Sequence, residues 1–203
     1  RRMQVSFVDI SRAYFNAKVD KEANTYVQLP PEDEDHQQCC AKLLRHMYGT
    51  RAAADGWQEE YSTFLVEVLG FAQGISSPCV FKHPSKMLVV SVHGDDFTTA
   101  GACADLDWFE ESLAEHYECT IQPRIGPGPE DGKEGIALNR VIRWTREGPE
   151  YEADPRQADK LIPECGLTGS NTMSTPGVRL SFAEIEKDKP LEQRLHTAFR
   201  GSA

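Results

Sequence analysis

Two adjacent carboxylates, Asp95 and Asp96, follow an apolar run that extends from Met87 to Val92. Two ionised carboxylates this close repel each other, so that one of them takes up a proton or a cation offsets the charge. The doublet therefore predicts either a metal site or a solvent-exposed acidic turn. Because 32 of the 203 residues are Asp or Glu, the doublet alone favours the exposed turn.

The residues around the doublet predict a β-hairpin. The run from Met87 to Val92 is typical of a mostly buried strand, His93 and Gly94 are typical of a tight turn, and Phe97 to Thr99 is typical of the returning strand. The two carboxylates are therefore expected at the hairpin tip.

A third carboxylate, Asp9, ends the first predicted strand. Residues 3–9 alternate, with Val5, Phe7 and Asp9 on one side. Two helices covering one face of an antiparallel sheet would leave Asp9 at a strand end beside the hairpin, although Asp95 lies 86 positions further along the chain. The sequence predicts an α+β fold in which three carboxylates meet at one edge of the sheet.

Three carboxylates at one edge suit a hard divalent cation, and Mg²⁺ prefers one or two carboxylates together with waters and substrate phosphates. Two such ions about 3.5–4 Å apart activate an attacking hydroxyl and stabilise a leaving phosphate. Nucleotidyl transfer is the reaction that this donor set favours. We find no convincing Ser/His/Asp or Cys/His arrangement, and His93 and His116 are expected to be packing or surface residues.

The remaining elements must hold these residues in place. A core helix is predicted from Trp57 to Leu69, with Val68 in its apolar stripe and Gly70 as its stop. A second helix carries four apolar residues at helical spacing: Leu106, Phe109, Leu113 and Tyr117. An amphipathic segment from Cys40 to Tyr48 is predicted to begin a helix at Cys40. One strand is predicted from Ile136 to Trp144, with a returning strand over 151–153. A short helix is predicted over 157–165.

Composition predicts a globular domain. A hydrophobic content of 39% and a charged content of 27% argue against wholesale disorder. No apolar run approaches the ~20 residues of a membrane span. The formal net charge of −10 is unfavourable for a nucleic-acid binder, although basic residues cluster at 42–51 and at 140–146.

Six cysteines without a C-x-x-C pair favour reduced thiols in an intracellular protein.

The sequence begins with Arg1, and a helix predicted from Leu191 runs to the last residue, Ala203. We therefore expect a fragment of a longer polypeptide.

From about Val5 to Ala203 the chain resembles the reverse transcriptase of copia-type (Ty1/copia) long-terminal-repeat retrotransposons. Several motifs occur in the family's order and with compatible spacing. They are DISRAYFNA at 9–17 (family D-V-x-x-A-F-L-N-G), YVQLPP at 26–31 (Y-M-x-Q-P-P), YGTRAAADGW at 48–57 (Y-G-L-K-Q-A-P-R-A-W), Gly70-Phe71, the doublet at 95–96 (Y-V-D-D) and Ser174-Thr175-Pro176 (S-T-P).

The resemblance implies a right-hand polymerase with an antiparallel palm sheet, helices on one face of it, and part of the fingers. Residues 1–160 would form the palm, with a fingers insertion over about 18–55, and residues 161–203 would form a connecting tail toward missing C-terminal domains. The implied function is an RNA-directed DNA polymerase domain of a retrotransposon polyprotein.

The implied partners are an RNA template, a DNA primer and dNTPs, with ribonuclease H and integrase as neighbouring domains of the polyprotein and no membrane. The implied location is intracellular, in a cytoplasmic particle or in the nucleus. The implied cofactor is Mg²⁺, as two ions, for which Mn²⁺ can substitute.

The resemblance also implies roles for single residues. Asp9, Asp95 and Asp96 would be catalytic and would bind the two Mg²⁺ ions, with the Ile10 carbonyl as an additional ligand. The nucleotide-binding residues would be Ile10, Tyr14, Tyr48, Gly49 and Arg51. Tyr14 would be a steric gate against a 2′-hydroxyl, and the alternative is an ordinary core aromatic residue.

Primer or template contacts are implied for His93, Gly94, Arg140 and Arg143, with an exposed basic strand face as the alternative for the two arginines. His93-Gly94 stands where the family has Tyr-Val, which changes the side chain expected against the primer end and makes the turn more flexible. This departure favours an alternative function, a catalytically decayed or domesticated copy that acts as a non-enzymatic interaction module. Retention of all three aspartates favours the polymerase.

Overall fold

Six antiparallel strands form the main sheet of the computed structural model, which describes residues 3–20, 22–153, 155–172, 174, 180–190 and 192–193. The chain divides into two units, residues 1–153 and 154–203. The elements of the first unit are, in order, β1 (Met3–Ile10), a 3-10 helix (Ala13–Asn16), β2 (Tyr26–Gln28), β3 (Cys40–Lys42), α1 (Ala53–Thr63), a π-helix (Phe64–Val68), β4 (Ala72–Gln73), β5 (Val80–Lys82), β6 (Leu88–His93), β7 (Asp96–Ala102), α2 (Cys103–His116), β8 (Cys119–Ile121), β9 (Glu134–Ala137), β10 (Arg140–Trp144) and β11 (Pro149–Ala153).

The main sheet has the strand order β4-β5-β6-β7-β1-β8, and every neighbouring pair is antiparallel. The predicted α+β fold with an antiparallel sheet is therefore confirmed. β6 and β7 form the predicted hairpin, closed by the pair His93 and Asp96. The two loop residues are Gly94 and Asp95 rather than the predicted His93 and Gly94, because His93 still pairs within the ladder.

The helices α1 and α2 pack on one face of this sheet. The strand residues on that face are buried and share one core cluster with residues of the two helices: Val8, Ile10, Val90, Val92 and Phe97 of the strands, Trp57 and Tyr61 of α1, and Leu106, Phe109 and Leu113 of α2. Side chains alternate along a strand, so the odd-numbered residues of β1 point away from the helices. We call this second surface, on which neither α1 nor α2 packs, the helix-free face, and it carries Phe7, Asp9, His93 and Asp96.

The helix predicted from Trp57 to Leu69 is present, but its geometry changes along its length. α1 gives way to the π-helix after Thr63, and Gly70 ends the element with a φ of +75°. A π turn contains more residues than an α turn, which rotates the following side chains around the axis. Val68 is consequently 66% exposed, and its predicted place in the core stripe is wrong.

The second predicted helix is confirmed as α2. All four of its predicted apolar residues are buried: Leu106, Phe109, Leu113 and Tyr117. Asp105 in its first turn accepts a hydrogen bond from the Met87 amide at 3.0 Å. A carboxylate is stabilised near a helix N-terminus by the helix dipole, so Asp105 ties the start of α2 to the residue before β6.

The segment at Cys40 is a strand and not the predicted start of a helix. β3 pairs with β2 from Gln28 opposite Cys40 to Tyr26 opposite Lys42. Pairing with a strand that lies 12 positions earlier satisfies the backbone groups of this segment. The amphipathic pattern could not reveal that partner.

A three-stranded antiparallel sheet in the order β11-β10-β9 completes the first unit. The region predicted as one strand from Ile136 to Trp144 is a hairpin, because Leu138 and Asn139 take φ values of +53° and +59° and reverse the chain. Two successive positive φ values are typical of a type I′ turn, whose twist matches the flanking strands. The predicted return over 151–153 is confirmed within β11.

The second unit contains α3 (Pro155–Glu164), which confirms the predicted short helix, and α4 (Phe182–Ile185). Thr175, Pro176 and most of the helix predicted from Leu191 lie outside the described residues. No helix in the described part of the chain is long and apolar enough to cross a membrane.

Candidate active site on the helix-free face

Four polar side chains form a row across four neighbouring strands. His93 of β6 lies opposite Asp96 of β7, Asp96 lies opposite Asp9 of β1, and Asp9 lies opposite Thr120 of β8. Residues directly opposite each other on neighbouring strands share a face of the sheet. The row therefore lies entirely on the helix-free face, and Asp95 adjoins it in the β6–β7 turn.

Asp9 and Asp96 form the closest kind of cross-strand pair. The Ile10 amide donates a hydrogen bond to the Asp95 carbonyl at 3.0 Å, which makes Ile10 and Asp95 a hydrogen-bonded pair. Hydrogen-bonded and non-hydrogen-bonded pairs alternate along an antiparallel ladder, so Asp9 and Asp96 form a non-hydrogen-bonded pair, in which side chains approach more closely. Like charges placed directly opposite each other destabilise a sheet. The fold thus keeps an unfavourable contact at this point.

The electrostatics of Asp96 agree with that register. Partial burial raises the pKa of Asp96 above its ordinary value, the charges of Asp95 and Asp9 raise it further, and His93 lowers it. The three carboxylates therefore lie close enough to repel one another, and a bound cation would relieve the repulsion.

The β6–β7 turn is held on its core side by two donors. Gly94 has a φ of +61°, and the first loop position of a type II′ hairpin turn favours glycine for this reason. The Trp57 indole Nε1 donates a hydrogen bond to the Gly94 carbonyl at 2.7 Å, and the Ile10 amide binds the next carbonyl. The predicted functional residues Ile10 and Gly94 are therefore backbone elements of the site, and Ile10 has a fully buried side chain.

Two tyrosines stand beside the carboxylates. The rings of Tyr14 and Tyr48 are 4.4 Å apart between centroids, and Phe15 contacts Tyr48 edge-on at 5.9 Å. Partial burial raises the pKa of Tyr48, and the nearby charge of Asp95 raises it further. The structure thus brings Tyr14, Tyr48 and Asp95 together as neighbours.

The other predicted nucleotide contacts, Gly49 and Arg51, are exposed in the turn that leads into α1. Gly49 has a φ of +84°, and the turn residue Thr50 donates a side-chain hydrogen bond to the Met47 carbonyl. Within the described residues, neither Gly49 nor Arg51 forms a hydrogen bond or an ion pair with the three aspartates. The structure therefore does not join them to the carboxylate row.

Arg140 and Arg143 lie on opposite faces of β10, because three positions separate them and strand side chains alternate. Arg143 forms ion pairs with Glu134 at 3.1 Å and Glu152 at 2.9 Å, whereas the Arg140 guanidinium lies 5.5 Å from the centre of the Tyr151 ring. The two guanidinium groups therefore cannot face the same strand of a nucleic acid together, and the charge of Arg143 is already compensated.

The β9–β10 hairpin overhangs the carboxylate row. An open cavity of about 690 Å³ is lined by His93, Asp96, Gln122, Ile136, Leu138 and Asn139. The sequence pattern predicts one continuous strand over 136–144 and therefore misses the turn at Leu138 and Asn139, and it carries no sign that Gln122 lines the site. Asn139 carried a signal, since asparagine tolerates the left-handed conformation, but Leu138 carried none.

The donor set fits a hard divalent cation in chemical type, because carboxylate oxygens are the ligands that Mg²⁺ prefers. By residue type, Asp9, Asp95 and Asp96 are the candidates to hold it. In the geometry of the described residues, however, no group of three or more His, Cys, Asp or Glu side chains is placed so that it could hold a metal ion.

Comparison with known protein families gives one match. The family model described as "Reverse transcriptase (RNA-dependent DNA polymerase)" matches residues 1–125, a range that includes all three aspartates and the strands that carry them. No curated protein matches the chain.

Proposed function

The chain belongs to the reverse transcriptase (RNA-dependent DNA polymerase) family, and on that premise we propose that it is the polymerase domain of a copia-type retrotransposon polyprotein. Membership of the family implies RNA-directed DNA polymerase activity and the binding of a nucleic-acid template and substrate. The ordered motifs at 9–17, 26–31 and 48–57 support the copia type.

The observation that carries the proposal is the like-charged pair Asp9 and Asp96, with Asp95 beside it. A sheet gains nothing in stability from two facing carboxylates, since their repulsion opposes pairing. A charge cluster that costs stability is typical of a functional site. The pair lies within the residues that match the family, and our proposal takes it as the metal ligands that a polymerase of this family requires.

In the proposed mechanism Asp9, Asp95 and Asp96 would hold two Mg²⁺ ions, with the Ile10 carbonyl as a further ligand. The chemistry supplied by such ions, when bound, would be activation of the attacking 3′-hydroxyl and charge neutralisation on the leaving pyrophosphate. The chain itself contributes position, because β1 and β7 fix two of the carboxylates opposite each other. No protein side chain needs to form a covalent intermediate.

The neighbouring residues would orient the substrates. Tyr14, packed against Tyr48, would form a wall beneath the sugar of the incoming nucleotide and exclude a 2′-hydroxyl. The cavity beneath the β9–β10 hairpin would receive the primer end, with His93 at its edge. Of the two arginines, Arg140 is the better candidate for a primer phosphate, since two glutamates already pair with Arg143.

The main sheet and its two helices would correspond to the palm, and the β2–β3 hairpin, within residues 18–55, to part of the fingers. Residues 161–203 would connect to ribonuclease H, with integrase elsewhere in the same polyprotein. The proposed setting is inside the cell, in a cytoplasmic particle or in the nucleus.

The experiment is primer extension on an RNA template with Mg²⁺ or Mn²⁺, for this chain and for a longer polypeptide with the flanking fingers and thumb. Asp95→Asn should abolish extension and leave folding nearly unchanged. Glu111→Gln is the matched control, because Glu111 belongs to another acidic doublet and is exposed on α2, behind the sheet. This variant should extend primers as the wild type does.

Equal extension by Asp95→Asn and wild type would reject the assignment of the aspartates as metal ligands. A folded wild-type protein that extends no primer in either length would reject the polymerase, and the interaction module would then be the better account.

A further inference from the structure

We propose that Trp57 is a positioning residue of the site: its indole holds the Gly94 carbonyl and thereby fixes the direction of the Asp95 and Asp96 carboxylates. The inference rests on the proposed function, because it matters only if those carboxylates bind metal. Trp57 itself lies in the core behind the sheet and contacts no substrate.

The indole is held rigidly. Trp57 is 1% exposed, and its ring packs edge-on against Tyr61 at 5.5 Å and Tyr117 at 5.3 Å between centroids. A side chain fixed on several sides presents its single N–H in one direction. That direction ends on the Gly94 carbonyl oxygen, 2.7 Å away.

The turn depends on such support from outside. Gly94 has no side chain to pack, and nothing lies within 4 Å of the position that a Cβ would occupy there. The turn therefore receives no support from that direction and is intrinsically flexible, since glycine populates many backbone conformations. The hydrogen bond from Trp57 restrains Gly94, and the bond from the Ile10 amide restrains Asp95.

Loss of the indole N–H would leave the Gly94 carbonyl without its partner at the edge of the core. Gly94 is an exposed residue, so water can take the place of the indole as partner of this carbonyl, and the peptide between Gly94 and Asp95 would then be free to rotate toward solvent. The same peptide carries the Asp95 side chain at its far end. Its rotation would therefore move one carboxylate relative to Asp9 and Asp96 while the sheet register stays intact.

Replacing a residue that hydrogen-bonds to a metal ligand, and so orients it, typically lowers the metal affinity by about 10–100-fold. Trp57→Phe keeps the aromatic packing and removes only the donor, so we expect its Kd for Mn²⁺ to rise by about 10-fold. Tyr61→Phe is the matched control. It removes a hydroxyl from the same helix and core, but that hydroxyl points to Cys79 Sγ at 3.8 Å and not to the turn.

The measurement is Mn²⁺ binding by electron paramagnetic resonance, with the indole N–H signals of the wild-type protein followed by NMR. The chain has three tryptophans, so Trp108 and Trp144 serve as internal references. Mn²⁺ should broaden the Trp57 signal first, and Asp95→Asn should abolish that broadening. This NMR result needs no Trp57 variant and remains informative if Trp57→Phe folds poorly.

The outcomes separate the two proposals. Weaker Mn²⁺ binding in Trp57→Phe and unchanged binding in Tyr61→Phe would support the positioning role. Equal affinities in wild type and Trp57→Phe, or equal losses in both variants, would overturn the positioning role and leave the metal site standing. Absence of Trp57 broadening in the wild type would overturn the metal site, and with it the role of Trp57.

Discussion

Replacing Gly135 with alanine tests how the β9–β10 hairpin is docked above the carboxylate row. A Cβ at Gly135 would lie 2.6 Å from Phe7 Cε2 and 2.9 Å from Phe7 Cζ, where ordinary contacts begin at 3.4 Å. The ring would therefore have to retreat by 3.4 − 2.6 = 0.8 Å. Phe7 is 4% exposed and cannot move aside freely.

Overpacking of this kind costs about 1–3 kcal/mol. In a chain of this size each kcal/mol lowers the Tm by about 2–4 °C, so Gly135→Ala should lower the Tm by roughly 2–12 °C. The backbone at Gly135 has no positive φ, so the expected loss comes from overpacking, chiefly against Phe7, and not from backbone strain.

A double-mutant cycle with Phe7→Leu isolates that contact. Leucine lacks the two ring atoms that the new methyl group meets, so Gly135→Ala should cost at least about 1 kcal/mol less in the Phe7→Leu background. Urea denaturation of the four proteins gives the coupling energy. Two results would refute the docking of Gly135 on Phe7. One is a urea midpoint of Gly135→Ala equal to that of the wild type, and the other is an equal loss of unfolding free energy in the Phe7 and Phe7→Leu backgrounds.

Two further predictions concern charged side chains. Burial and the charges of Asp95 and Asp9 raise the pKa of Asp96 above its ordinary value. The Asp96 carboxylate therefore binds a proton more readily in the folded protein than in the unfolded chain. The free energy of unfolding should rise as the pH falls from the folded-state pKa of Asp96 toward its unfolded-state pKa. Asp96→Asn should therefore raise the free energy of unfolding of the metal-free protein at neutral pH. Urea titrations at several pH values should show that the variant no longer gains stability as the pH falls. A variant less stable than wild type at neutral pH would contradict the repulsion. Arg124 pairs with Glu110 at 2.6 Å, with the two side chains 15% and 12% exposed, so Arg124→Leu should cost about 3 kcal/mol by leaving the Glu110 carboxylate without a cation while the Ser6 hydroxyl still donates to it. A loss below about 1 kcal/mol, typical of exposed ion pairs, would show that solvent screens this contact.

The sequence allowed the site strands to be predicted because their signals are local. The alternation from Val5 to Asp9 and the apolar run before His93 each report on one strand. An antiparallel arrangement then brings Asp9 to the hairpin, which the register with Asp96 bears out. An alternation of side chains with a period of two and a glycine at the turn were enough to predict both strands.

Other features depend on contacts that no local pattern reveals. The hydrogen bond from Trp57 to Gly94 joins residues 37 positions apart, and the partner of Cys40 lies on a separate strand. Leu138 adopts a left-handed conformation that costs a leucine roughly 1–2 kcal/mol, so its residue type argued against the turn it forms. For that reason the segment was predicted as one strand, and its reversal into a hairpin was missed.

The position of β1 between β7 and β8 also determines when the protein can fold. Asp9 meets Asp96 and Thr120, which lie 87 and 111 positions later in the chain. Contacts this distant have a high contact order and form slowly, because a long loop must close before any pairing energy is gained. At translation rates of about 5–20 residues per second, β1 waits roughly 6–22 s for β8 to be made. During that interval Val8 and Ile10, buried in the finished protein, stay uncovered on the nascent chain, and exposed apolar side chains of this kind favour aggregation and chaperone binding.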